Sequence, residues 1–415
     1  MKLSTGRWVS GGDFFNREGE LHILETHVRD HNHILLTGQR RMGKTSIVRE
    51  LGRRLELNGW AFLFADVEAA TCAEDAIADI AKAAYPIQPI RSRLIATAGR
   101  WLKDNIEEAG PDEFRVKIRA ALDPGSWRRH GKELLRNCAE HDKSVLLAID
   151  ELPIFLKRML KHDNGEQRVD EFLSWLRGTL QDLGNDSPVL IVSGSIGLDH
   201  LVRRLGIPDR INHLYPFRLG PWDRNTSVEC FTRLAEDYEL SIENGVADAV
   251  YEKLGSGIPH HVQSFFARLR DFATMQGKNR VIVDDVNEVY YRRLLGAWGQ
   301  SDLVYYETRL KEGLGGDDDY YSIAMEILAE AAIQEVFTPS ARHCLEEMYS
   351  SLVEDMPACI ADVLEVLEHD GYLEASEDGY RFSSNLLRDW WSARFRHHIP
   401  IENRRSVDKS QEQTQ

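Results

Sequence analysis

The chain has 415 residues, enough for two or three domains, and 42% of them are hydrophobic, enough to build real cores. Lys and Arg number 51 against 67 Asp and Glu, a net charge of -16 that argues against non-specific nucleic-acid binding by the whole molecule. There is no apolar run long enough for a membrane helix and no apolar signal region in MKLSTGRWVS. The five cysteines form no C-x-x-C pair, so a reducing, cytoplasmic setting is expected.

In chain order, DFFNREGEL comes first, followed by HILLTGQRRMGKTSIVREL. Ile34, Leu35 and Leu36 predict a short buried strand. Gly38, Gln39, Arg40, Arg41, Met42, Gly43, Lys44 and Thr45 fit G-x-x-x-x-G-K-[ST]. The physical sense of that spacing lies in the helix that follows. A helix N-terminus offers unpaired N–H groups and the positive end of its dipole, and a glycine-rich turn lets those groups curl round a phosphate chain. Lys44 is expected to reach the β- and γ-phosphates of ATP, Thr45 to place its hydroxyl on Mg²⁺, and Ser46 to complete the cradle. Ile47, Val48, Leu51 and Leu55 recur at helical spacing, and Gly59 marks the stop.

AFLFADV (61–67) predicts a second strand. The long stretch 86–143 reads as a helical insertion, with Trp101, Leu102, Ile106, Leu134 and Leu135 as its apolar marks. A third strand, 145–149, ends in Asp150-Glu151. Carboxylates at the C-terminal edge of a buried strand suit metal binding by Asp150, through water, and activation of the attacking water by Glu151. The strand in PVLIVSGSIGL ends in Ser193-Gly194-Ser195. Either serine is placed to sense the γ-phosphate, and Ser193 is favoured over Ser195. A fifth apolar run occupies 212–220. Strands alternating with helices imply an α/β protein with a parallel, helix-covered sheet.

Helical periodicity then covers 225–238, 242–254, 259–276 and 284–295, a helical lid. From 320 the pattern changes. Helices are expected over 320–333, 338–349 and 357–368, with Thr338-Pro339 as cap and first turn and Gly371 as a stop. YLEASEDGYRFSS reads as a two-stranded wing, so this part resembles a winged helix. Its third helix carries Asp362, Glu365, Glu368 and Asp370, which favours a protein contact over DNA. Leu386, Leu387, Trp390, Trp391 and Phe395 are expected to pack the last helix on it, although a tryptophan pair can also mark a partner surface. Disorder is expected from 403. The resulting division is 1–222 for the core, 223–300 for the lid, 320–400 for the winged-helix-like domain and 403–415 for the tail.

DFFNREGEL, LLTGQRRMGKTSIVREL, LLAIDEL and LIVSGS together resemble the archaeal-type ATPase family, AAA-related P-loop proteins grouped with the STAND signalling NTPases. The resemblance implies a three-layer, AAA-like fold that binds ATP and Mg²⁺. It implies that Phe15 and Arg17 flank the adenine, with Asn16 standing where the family has glycine. It implies that Pro259, in Gly257-Ile258-Pro259, packs on the adenine. His260 and His261 occupy the place of a sensor arginine, with Arg268 two turns on. Arg210 stands where relatives carry an arginine before the fifth strand and would meet the γ-phosphate in cis or from a neighbouring copy in a nucleotide-dependent oligomer. The function expected is an ATP-hydrolysing switch that couples nucleotide state to a partner protein through its C-terminal domain. The rival is a DNA-handling ATPase that uses the winged helix on nucleic acid. A third reading, nucleotide binding without turnover, is opposed by Glu151.

Overall fold

In a computed structural model of the chain, β1 (Ile34–Thr37), β2 (Ala61–Asp66), β3 (Val145–Asp150), β4 (Val189–Ser193) and β5 (Tyr215–Arg218) form one sheet in the order β2-β3-β4-β1-β5, all parallel. The structure describes residues 1–98, 110–194, 197–296, 300–314, 318–350 and 355–404. The chain divides into two compact units. One is Trp8–Gly38 with Gly43–Leu219; the other is Met1–Arg7, Gln39–Met42 and Gly220–Gln415. Among the described residues no helix is long and apolar enough to cross a membrane.

The first unit is the sheet and its helices. β3 is buried at every position, as a strand with both faces covered should be, whereas β2 at the sheet edge alternates buried and partly exposed residues. The parallel register sets Asp66 beside Asp150 and Leu36 beside Ser193, so the carboxyl ends of the strands line up along one edge. α1 (Glu18–Arg29) precedes β1, and α2 (Lys44–Leu57) follows it. α2 lies close on β2 because Gly52 has no side chain: a Cβ there would come within 2.4 Å of the Phe62 ring.

The long β2–β3 connection is helical where it is described: α3 (Ala73–Ala84), then Gln88–Ala98, Pro111–Ala121 and Trp127–Ala139. Leu134 and Leu135 are buried, as their periodicity implies, while Trp101, Leu102 and Ile106 lie outside the described residues. Arg115 pairs with Asp79 and Arg119 with Asp75, tying the insertion to α3. An aromatic cluster backs it: Trp127 meets Trp175 edge-on at 5.1 Å, and Phe155 meets Phe172 at 5.0 Å.

At the opposite end of this unit from the strands' carboxyl edge, His33 accepts from the Leu190 N–H just before β1. Its ring meets His213 edge-on at 5.8 Å, and both ring nitrogens of His213 are buried without a hydrogen-bond partner. Burial, reinforced by His33 and Arg177, pulls the His213 pKa down to about 4. The fold therefore favours the neutral ring. Its contribution to stability is complete above about pH 6.5 and is lost as pH falls towards 4. The thermal midpoint should drop between pH 7 and pH 5 by about 2–4 °C for each kcal/mol lost. The drop should be smaller in His213→Gln, and equal slopes for the two proteins in calorimetry would remove His213 from the account.

Among its described residues the second unit is mainly helical, with one hairpin. Its first four helices are Arg224–Asp237, Val246–Leu254, Pro259–Met275 and Val283–Val289. The second starts later than periodicity suggests, because Ile242 pairs with Val281 as an isolated bridge and Gly245 takes a left-handed turn at φ 89°. The fourth widens into a π-turn over Tyr290–Leu294, where buried Tyr290 donates to Asp389 at 2.9 Å. After Gln300–Gly313 come Asp318–Ile333, Pro339–Tyr349 and Met356–His369. Thr338 caps the second of these by accepting from the Ala341 N–H at 3.1 Å. β6 (Leu373–Ser376) and β7 (Gly379–Phe382) make an antiparallel hairpin turning at Glu377 and Asp378. In the last helix, Asn385–Arg394, Trp390 and Trp391 are 3% and 0% exposed, so the tryptophan pair is core and offers no surface to a partner. The expected tail begins in order: Asn403 and Arg404 are helical and Arg404 pairs with Glu326 at 3.0 Å, while 405–415 lie outside the described residues.

Candidate nucleotide site

At the carboxyl edge of the sheet, β1 runs into the loop Gly38–Gly43 and α2 begins at Lys44. Gly38 has φ 147°, and a Cβ on it would sit 2.5 Å from the Leu219 carbonyl oxygen. Gly43 caps α2 in the left-handed region at φ 89°. Both glycines of the motif are thus demanded by the backbone, one by close approach and one by conformation.

Lys44 is 7% exposed, and its Nζ donates to the Gly38 carbonyl at 2.6 Å, which lays the ammonium across the loop. Thr45 Oγ1 donates to Asp150 Oδ2 at 2.7 Å. Ser193, fully buried, donates its hydroxyl to the other oxygen, Asp150 Oδ1, at 2.6 Å. Asp150 therefore ties β3 to α2 and to β4. A threonine hydroxyl and a carboxylate within hydrogen-bond reach at a helix N-terminus are hard oxygen donors of the kind Mg²⁺ takes. Thr45 and Asp150 would hold it. When bound, the ion supplies charge neutralisation to phosphate oxygens.

Glu151 follows directly and leaves the strand in left-handed conformation, φ 58°, to open the helix Leu152–Leu160. A non-glycine residue in that region marks a backbone held by its surroundings. Part of that constraint is Gly194 just after β4, where a Cβ would strike the Pro153 ring at 2.4 Å. Ser195 lies outside the described residues.

Asn16 and Arg17 both have positive φ, 58° and 74°, so the turn that glycine would make is made by asparagine. Arg17 is buried and pairs with Glu20 at 2.7 Å; Phe15 beside it is half-buried. Ser46 is turned away from the loop, accepting from the Val9 N–H at 3.1 Å. Arg210 is held by Asp170 at 2.6 Å and by Asp209. Among the described residues Arg210 makes no ion pair with Asp150.

Gln39–Met42 belongs to the other unit. Within it, Gln39 Nε2 donates to the Gly371 carbonyl at 2.7 Å, and the Ser383 hydroxyl donates to the same oxygen. Gly371 has φ 75°, and a Cβ there would lie 2.3 Å from the Gln39 side chain. The Arg40 guanidinium lies 4.4 Å from the centre of the Tyr305 ring, with Arg41 5.7 Å from the same ring; Met42 is buried. Pro259 is the first residue of its helix and is buried. Gly257 before it lets the chain pair with Trp222, whose carbonyl a Cβ would meet at 2.1 Å. His261 accepts from or donates to the Tyr306 hydroxyl at 3.1 Å, and burial holds the pKa of both His260 and His261 down at about 3.

Sequence reading missed two features. Gln39 and Gly371 are 332 positions apart, and no local pattern joins them. Arg49 lies between the rings of Trp8 and Phe64, with its charge set against Asp150 and Asp66. The Asp at the end of β2, matching the one at the end of β3, was the signal available for it.

The strand order, the loop and the paired Thr45 and Asp150 define the three-layer α/β fold of P-loop ATPases of the AAA type. No protein-family model matches the chain, and no curated protein matches it. Solved structures do. The Walker-type ATPase PABY2304 of Pyrococcus abyssi is similar with a TM-score of 0.63 at 18% identity, over 94% of this chain and 99% of that one. The ORC2 protein of Aeropyrum pernix, solved in ADPNP–ADP complexes, is similar with a TM-score of 0.55 at 13% identity, over 96% and 97%. At these identities the likeness establishes the fold.

Proposed function

We propose that the protein binds Mg·ATP at Gly38–Ser46 and Asp150, hydrolyses it with Glu151, and works as a switch whose C-terminal part passes the nucleotide state to a partner protein. Phe15, Arg17 and Pro259 are assigned to the adenine, Ser193 to sensing through Asp150, and Arg210 to the γ-phosphate, in cis or from a neighbouring copy. The ADPNP–ADP complexes of the Aeropyrum protein support the nucleotide. The observation that carries the switch is the hydrogen bond from Gln39 to Gly371: a residue inside the phosphate loop is bonded to the segment between the helix Met356–His369 and the hairpin β6–β7. Three helices and that hairpin support a winged-helix reading. A phosphate that reshapes the loop changes what Gln39 can reach, which is how a ligand biases a bistable contact.

Charge supports a protein partner over DNA. The helix Met356–His369 has no Lys or Arg, and Asp362, Glu365 and Glu368 stand half-exposed on it. Arg381, Arg388 and Arg394, which follow it in the hairpin and the last helix, pair with Asp378, Asp389 and Glu307 at 2.8–2.9 Å. The full chain should therefore hydrolyse ATP and show no binding to duplex DNA at physiological salt, where non-specific binders have a Kd of about 10⁻⁴ to 10⁻⁶ M. Tight binding with a steep salt slope, or ATP turnover that rises with DNA, would replace the switch with the DNA-handling reading.

A further inference from the structure

Arg49 lies one turn after Thr45 on α2, on the side of the helix that meets Phe64 of β2. Its guanidinium carbon is 4.0 Å from the centre of the Trp8 ring and 3.8 Å from that of Phe64. Two aromatic faces thus clamp one cation. The clamp is built. Val9 N–H donates to Ser46 and Gly11 N–H donates to Glu50 Oε2 at 2.7 Å, which pins the segment carrying Trp8 across α2. Arg49 is half-buried, and its Nε is buried without a hydrogen-bond partner. Burial draws its pKa down; Asp150 and Asp66 are the charges that oppose this. Phe64 and Asp66 share one face of β2, and Asp66 is the register partner of Asp150.

A guanidinium with an unpaired buried N–H is costly to keep, and here it is fixed by stacking and by two carboxylates that it faces without bridging. One of those carboxylates, Asp150, supplies with Thr45 the hard oxygens of the metal site, and Asp66 is its neighbour across the β2–β3 register. Two adjacent carboxylates attract a divalent cation, since affinity rises with the charge of the ligand set. A fixed positive charge beside them works against that.

We propose that Arg49 is the resident counter-cation of the metal site: clamped between Trp8 and Phe64, it keeps Asp66 and Asp150 from taking a free divalent cation and leaves the site to Mg²⁺ that arrives on a nucleotide. The nucleotide's phosphates bring the negative charge that Arg49 has offset. This rests on the nucleotide reading of the site, and Arg49 acts as a positioning residue, touching neither phosphate nor metal.

The test is Mn²⁺ binding followed by electron paramagnetic resonance, with Mn²⁺ alone and with Mn²⁺ plus ADP. Without nucleotide, Arg49→Gln should bind Mn²⁺ at least about tenfold more tightly than wild type, the scale of one charge removed at short range in protein. Arg49→Lys, which keeps the charge, should stay near wild type, and adding Asp66→Asn to Arg49→Gln should cancel the gain. Should Arg49→Gln fail to fold, Trp8→Ala opens one side of the clamp from an exposed position and should give a smaller gain in the same direction. An unchanged Mn²⁺ Kd in the variants, with ADP-dependent Mn²⁺ uptake intact, overturns the role of Arg49 and leaves the nucleotide site standing. Absence of Mn²⁺ uptake by wild type even with ADP overturns the metal site itself.

Discussion

Lys44→Ala should abolish ATP turnover, or lower it by about 10²-fold or more, the range for one electrostatic contact to a transferring phosphoryl group. The reason lies in where the ammonium stands. Lys44 is almost wholly buried at the start of α2, and its Nζ reaches back to the Gly38 carbonyl at 2.6 Å, spanning the loop whose N–H groups would hold the phosphates. Alanine removes the charge that meets the β- and γ-phosphates and leaves the loop's geometry to its glycines, which the backbone keeps. Circular dichroism should show an unchanged helical content, and titration with ATP should show lost affinity. A folded variant with unaltered affinity and rate would displace the site from this loop.

Glu151→Gln should separate binding from chemistry. Glu151 follows Asp150 on a left-handed turn, one residue past the carboxylate that the Thr45 and Ser193 hydroxyls engage. Replacing its carboxylate with an amide removes a proton acceptor while keeping size and shape. Mg·ATP should stay bound, and single-turnover hydrolysis should slow by roughly 10²-fold or more, as expected for a lost general base. Equal loss of ATP affinity would make Glu151 a metal ligand or a structural residue. Undiminished hydrolysis would pass the water to another group.

Much of the site was legible because its chemistry is local. Gly38 to Thr45 are contiguous, and the left-handed Gly43 and the crowded Gly38 are needs of the loop itself. The run 145–149 announced a buried strand, and a strand so buried could only deliver Asp150 and Glu151 at its end. Asn16 took up the glycine turn of the opening segment for the same local reason, its tolerance of positive φ. Helix boundaries drifted where a neighbour intervened, as at Val246, held back by the bridge between Ile242 and Val281.

By itself, then, the sequence determined the phosphate loop, the carboxylates at the end of β3 and the alternation of strands and helices, because glycine conformation, strand burial and helix periodicity act over a few residues. Tertiary structure alone decided which strands became neighbours and what the functional side chains face. The order β2-β3-β4-β1-β5 puts Asp66 beside Asp150 across 83 residues of intervening helix and insertion, and sets Ser193 on Asp150 from a third strand. It turned Ser46 away to the Val9 N–H, gave Arg210 to Asp170, and bonded Gln39 to Gly371. Each of these contacts joins residues far apart in the chain. They follow from how buried faces and hydrogen-bonding groups find partners across the whole fold, which no short stretch of residues encodes.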